Sequence, residues 1–206
     1  MPPGAIWKIR TRSFAGKSQA GMKSTRSAKI KTFEQAYAFV LKAKTCLIFG
    51  SKTSDLPSLW EVVDLPGRQP GQPGWGAKVE AVWAWKNELP AQFPDEIFYG
   101  KLPGGLAMLM SIEHLRDVHY PAHHRPVSTC SPLARRAFEL IRSEPHTTAE
   151  LRKALSPSGA ISKSKVDGAL VELQVTLNIT RSNAPNLKRD TWLPFAEQYP
   201  DIGGEA

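Results

Sequence analysis

Near the end of this 206-residue chain stand Lys163, Ser164, Lys165, Arg181, Asn183, Lys188 and Arg189, side chains of the types that hold a phosphate backbone. Ammonium and guanidinium groups neutralise phosphate oxygens, and hydroxyl and amide groups donate hydrogen bonds beside them. The first three open the stretch "KSKVDGALVELQ", and the others lie in and around "SNAPNL". The chemistry they imply is binding, with duplex DNA as the partner, held mainly through its phosphates.

Covalent and metal chemistry has weaker signatures. His119 and His123 have the i, i+4 spacing of a helical metal pair with Asp117 nearby, but Pro121 is expected to break the helix between them. No metal and no cofactor is therefore expected. Cys130 has His123 and His124 near it in sequence, yet nothing orients either as its base. The stretch "AGKSQAG" resembles the end of a phosphate-binding loop, but Thr11 stands where the leading glycine is needed.

Trp60, Trp75, Trp83 and Trp85 cluster beside the loop "GRQPGQPGWG". Such rings stack on unpaired bases, and Trp75 and Trp85 are the ones expected to face a cleft, with Trp83 in the core. An enzyme acting on a flipped base would need an acid or base here, and Asp64 or Glu61 could serve. No catalytic residue is identified.

The elements that must position these groups read as an α+β fold: a small α+β region over residues 32–120, a linker over 121–132, and a helical unit over 133–195 with a tail to 206. Thr32 caps a first helix with Gln35 three residues on, and "TCLIF" from Thr45 reads as a buried strand. A short helix follows Ser58. Residues 77–89 form the clearest helix of this half, with Val79, Val82, Trp83 and Lys86 on one face and Pro90 as its end. A β-hairpin around Pro103-Gly104-Gly105 and a helix from Ser111 complete the region.

After the proline-rich stretch 121–132 the order is helix, a short helix capped by Thr147 or Thr148, a turn, a third helix from Ser162, then a hairpin. That is the order of a winged helix, whose third helix is offered to the major groove. Val166, Ala169, Leu170 and Leu173 form the core face of that helix. Its opposite face carries Ser164, Asp167, Gly168, Val171 and Glu172, so Lys163 and Lys165 are balanced by two acids. A small, charge-balanced face argues against base reading and leaves affinity to the wing and to an N-terminal arm.

Lys8, Arg10, Arg12, Lys17, Lys23, Arg26, Lys29 and Lys31 fill a leading segment without one acid, and they account for the whole net charge of +8. Residues 1–31 are therefore expected to be a basic, mostly disordered arm, of which residues 1–21 could precede the natural start at Met22. Cys46 and Cys130 lie far apart without metal or redox spacing, which favours free thiols in a reducing compartment, the cytoplasm. No apolar run approaches the ~20 residues of a membrane span.

The succession "ARRAFELIRSEPHTTAELRKAL", "KVDGALVELQ" and "LNITRS…DTWLPF" resembles the winged-helix units of DNA glycosylases of the AlkZ/YcaQ type. "LPSLWEVV", "VWAWKNELP" and "YGKL" are similar to small bacterial relatives of that family. The resemblance implies a connection with excision of alkylated bases or unhooking of crosslinks. The family's catalytic signature, Gln-x-Gln or Gln-x-Asp, is absent: none of Gln19, Gln35, Gln69, Gln72, Gln92, Gln174 and Gln198 has Gln or Asp two residues on. Three uses thus stand: a DNA-binding protein, a glycosylase-like enzyme, or a structural or protein-interaction module whose third-helix face is buried against residues 32–120.

Overall fold

The computed structural model of the chain describes residues 29–185 and 190–204. Most of the basic arm, together with Asn186, Lys188 and Arg189, lies outside the described residues. The architecture is α+β, with two small antiparallel sheets and helices packed on them.

Helix α1 (Phe33–Ala43) starts where the Thr32 hydroxyl accepts from the Gln35 N–H, as the sequence implies. Strands β1 (Thr45–Leu47), β2 (Ile97–Lys101) and β3 (Ala107–Ser111) form the first sheet in the order β1-β3-β2. Its alternation sends Cys46, Leu109 and Ile97 into one apolar cluster with Val40, Val82, Trp85 and Leu89. Leu47, Phe98, Met108 and Met110 face the other way. Ile30, expected in the arm, is instead buried in the first cluster and bridges to Val63.

Between these strands lie α2 (Leu59–Val62), capped by Ser58, and α3 (Ala77–Gln92). Pro90 does not end α3 but sits inside it. A proline costs the helix one N–H donor, so the carbonyl of Lys86, four residues back, is left without its usual partner. That carbonyl is taken up by a distant side chain described below.

After β3 the chain runs through α4 (Ile112–His114), a π turn (Leu115–His119) and α5 (Tyr120–His123). Pro121 therefore does not break the run as expected. It falls in the first turn of α5, where an N–H is not needed, and the π turn absorbs the change of register. Within residues 121–132 the Arg125 N–H donates to the Thr176 carbonyl, its own carbonyl accepts from Asn178 Nδ2, and Cys130 is buried.

The second half runs α6 (Pro132–Ser143), β4 (His146–Thr147), α7 (Thr148–Leu155), α8 (Lys163–Val175), β5 (Ile179–Arg181) and β6 (Thr191–Pro194). Thr147 and Glu150 close a reciprocal capping box at α7. The strands pair antiparallel in the order β4-β6-β5, with Arg181 opposite Trp192. Val166, Ala169, Leu170 and Leu173 of α8 are buried with Ala134, Ala137 and Ile141 of α6. Two short helices, α9 (Phe195–Gln198) and α10 (Pro200–Gly203), end the described chain.

A third cluster joins the halves. Phe98, Met108 and Met110 from the first sheet pack with Leu115, Leu177, Phe195 and Tyr199, and Phe98 lies edge-on to both Phe195 and Tyr199. No helix among the described residues is long and apolar enough to cross a membrane.

Candidate nucleic-acid interface

Lys163, Ser164 and Lys165 form the opening turn of α8, and all three are exposed. Neither lysine has an ion-pair partner among the described residues. The two acids set against them in the sequence are engaged elsewhere. Asp167 receives a two-pronged bond from Arg152 of α7, at 2.9 Å from Nε and 2.6 Å from Nη2. Glu172 accepts from the backbone N–H and hydroxyl of Ser131, at 2.7 and 2.6 Å, where Ser131 caps α6. With Asp167 paired to Arg152, the opening turn of α8 presents two lysines without an acid of their own turn beside them.

The outward face of α8 is divided. A Cβ on Gly168 would meet nothing within 4 Å, so the space beside it is open. One turn on, Val171 is half-buried, and its Cγ1 lies 3.6 Å from where a Cβ on Gly105 would sit, in the β2–β3 turn. The N-terminal half of that face is free and the C-terminal half is covered.

Arg181 and Asn183 are not on an exposed wing. Arg181 is 7% exposed, and its guanidinium reaches back to the first half of the chain. Nη1 donates to Asn87 Oδ1 at 2.6 Å, Nη2 donates to the Lys86 carbonyl at 3.4 Å, and Cζ lies 4.3 Å from the Tyr99 ring centroid. The carbonyl freed by Pro90 is thus the one Arg181 takes. Asp190 adds an ion pair at 3.5 Å. Asn183 is buried too, donating from Nδ2 to the Tyr199 hydroxyl at 3.0 Å. Sequence reasoning counted both as wing donors because cross-half packing leaves no local signal.

Beside Arg181 sits Lys86, 6% exposed, with its ammonium 4.5 Å over Trp83 and 5.0 Å from Tyr99. Burial pushes its pKa down to about 8, and the Arg181 guanidinium adds repulsion that Asp190 partly offsets. The helical period had already put this lysine on the apolar face with Val82.

Trp83 and Trp85 exchange their expected places, and Trp75 stands exposed as expected. Trp85 is 7% exposed in the first core, whereas Trp83 is 45% and Trp75 57% exposed. Trp75 and Trp83 meet edge to face at 5.9 Å beside a hollow of about 430 Å3 that Phe49, Arg68, Gly74 and Val79 also line. Gly76 makes this possible. Its φ of +84° and the 2.5 Å between a Cβ there and the Arg68 backbone nitrogen allow no side chain, so the loop folds back with Arg68 close to Trp75.

The candidates for covalent chemistry are held in other roles. Asp64 is paired with Lys29 and Lys31, at 3.6 and 3.7 Å, and Glu61 lies in the first turn of α2. The Cys130 thiol, pushed up in pKa by burial, lies 3.6 Å from the Thr176 hydroxyl, and Cys46 is pushed up to about 12. The His119 and His123 rings do approach, at 4.4 Å, but no group of three metal-binding side chains gathers there among the described residues. Burial lowers the His119 pKa to about 4, with His123 and His114 adding repulsion.

A protein-family model described as AlkZ related fits residues 30–191. No curated protein and no solved structure matches.

Proposed function

The chain belongs to the AlkZ-related family, and on that footing we propose that it is a DNA-repair-associated protein that grips duplex DNA through phosphates. Its second half serves as the winged helix. Helix, short strand, two helices and a two-stranded hairpin follow in the order that fold requires, with α8 third among the helices, which supports this reading.

The observation that carries the proposal is the opening turn of α8. Lys163, Ser164 and Lys165 stand exposed while Asp167 is charge-paired with Arg152 and Glu172 is held by hydrogen bonds from Ser131. Lys188 and Arg189 lie between β5 and β6 in sequence and would add charge to the contact. Arg181 and Asn183 would hold that hairpin in place rather than touch DNA. The role is binding with little base discrimination, because Gly168 offers no side chain to a base edge and Val171 is covered.

Fluorescence anisotropy with labelled duplexes of differing sequence tests this. Binding should be similar across sequences, and Lys163→Ala/Lys165→Ala should weaken it several-fold and uniformly. A double variant that binds like wild type would remove these residues from the interface. The same duplexes carrying alkylated bases, scored for abasic sites, separate binding from catalysis.

A further inference from the structure

Phe49, Trp75 and Trp83 are all large apolar side chains left exposed, and all three line the one hollow of about 430 Å3. A soluble fold seldom leaves tryptophans bare side by side without a use for them. The rings continue beyond the hollow, since Phe49 lies 5.8 Å from Trp60 at a tilt of 50°. Two cations border the strip, Lys78 with Nζ 4.5 Å over Trp60 and Arg68 lining the hollow, while the ammonium 4.5 Å over Trp83 is that of the buried Lys86.

We propose that this strip is a binding site for an unpaired nucleobase of single-stranded or locally opened DNA, with the base on the Trp75 and Trp83 rings and the adjoining phosphates against Arg68 and Lys78. A base offers a flat π face to each ring and a negative backbone to each side, which is the pattern that alternating aromatics and cations accept. The hollow is within the range of roughly 300–1,000 Å3 that holds compact ligands. Arg68 is the only charged residue lining it among the described residues, Nε donates to the Gln72 carbonyl at 3.0 Å, and that bond orients the guanidinium through Nε. Glu80 is the nearby counter-charge, with Oε1 3.1 Å from where a Cβ on Gly74 would lie. A proline-rich or neutral peptide would use the rings but leave Arg68 and Lys78 without purpose.

The site serves the DNA-binding role proposed above, yet it is built from residues separate from Lys163 and Lys165, so the two can fail independently. The full chain is titrated with a single-stranded oligonucleotide, with a matching duplex, and with that duplex carrying one bulged base. Tryptophan emission and anisotropy of a labelled strand are read together. Single strand and bulged duplex should quench tryptophan emission. Trp75→Ala and Trp83→Ala should each weaken single-strand binding about tenfold, as stacking of ~1–3 kcal/mol per base implies, and leave intact-duplex binding within about twofold.

Trp75→Phe and Trp83→Phe, which keep a ring, should retain most of the affinity. Both positions are exposed, so thermal melting of all four variants should match wild type. Lys163→Ala/Lys165→Ala should do the converse, weakening duplex binding while single-strand quenching persists. Absence of quenching by single strand at low salt, alanine variants that bind it like wild type, or quenching by a proline-rich peptide in its place would overturn the assignment.

Discussion

Arg181 carries a positive charge into a nearly closed seam, where Asn87, the Lys86 carbonyl, the Tyr99 ring and Asp190 receive it. Removing it strands two acceptors and leaves Lys86 behind, so Arg181→Ala should cost roughly 2–4 kcal/mol in urea unfolding. Arg181→Lys should recover little of this, since an ammonium cannot reproduce the fork. Lys86 is the destabilising member of the pair. Its folded pKa of about 8 lies below the ordinary 10.5, so between those values the unfolded chain holds the extra proton and stability from this group rises with pH. Lys86→Met should therefore be more stable than wild type at pH 7, by on the order of 2–3 kcal/mol, with the difference shrinking as pH rises from 8 to 10.

His119 acts in the opposite range. Its Nε2 is buried without a hydrogen-bond partner among the described residues, and its pKa falls to about 4 from 6.5. The unfolded chain takes up a proton across that window and the folded chain does not, so stability should decline as pH drops from 6.5 toward 4. His119→Phe should flatten that limb of the stability profile measured by denaturant midpoints. The local period put Lys86 on the apolar face of its helix, but Arg181 and His119 were not legible as what they are, because their burial depends on what packs against them from elsewhere in the chain and no charge count carries that.

Helix α3 shows how an element can be read correctly and turned wrongly. The stripe Val79, Val82, Trp83, Lys86 and the stripe Val82, Trp85, Lys86, Leu89 have the same spacing and share two members. The sheet selects the second, which buries Trp85 and Leu89 and leaves Trp83 out. Helix α8 had no such rival, and its core face of Val166, Ala169, Leu170 and Leu173 was legible outright. What could not be read was its charge, because the partners of Asp167 and Glu172 are Arg152, 15 residues away, and Ser131, 41 residues away. Gly168 gives a prediction at this scale. With open space at its Cβ, Gly168→Ala should stabilise the protein by about 0.5–1 kcal/mol in thermal or urea unfolding.

In the whole molecule the two halves share the cluster of Phe98, Met108, Met110, Phe195 and Tyr199. Far-UV circular dichroism and tryptophan emission should therefore report one coincident unfolding transition. Phe195→Ala should lower it for both probes together, by about 3–5 kcal/mol. The hairpin, the caps at Thr32, Ser58 and Thr147, and the succession of helices were visible as local pattern. The shared cluster was not, since its members come from strands and helices far apart in sequence. This coupling fixes α8, with its exposed lysines, relative to the Trp75 and Trp83 strip on the first half.

The salt dependence of duplex binding tests the central claim most directly. Each lysine set against a phosphate releases counterions, so log K against log salt should fall steeply for the full chain. For Lys163→Ala/Lys165→Ala the slope should be shallower by about 2. A duplex affinity indifferent to salt, or a slope that the double variant leaves unchanged, would contradict a phosphate grip by the opening turn of α8.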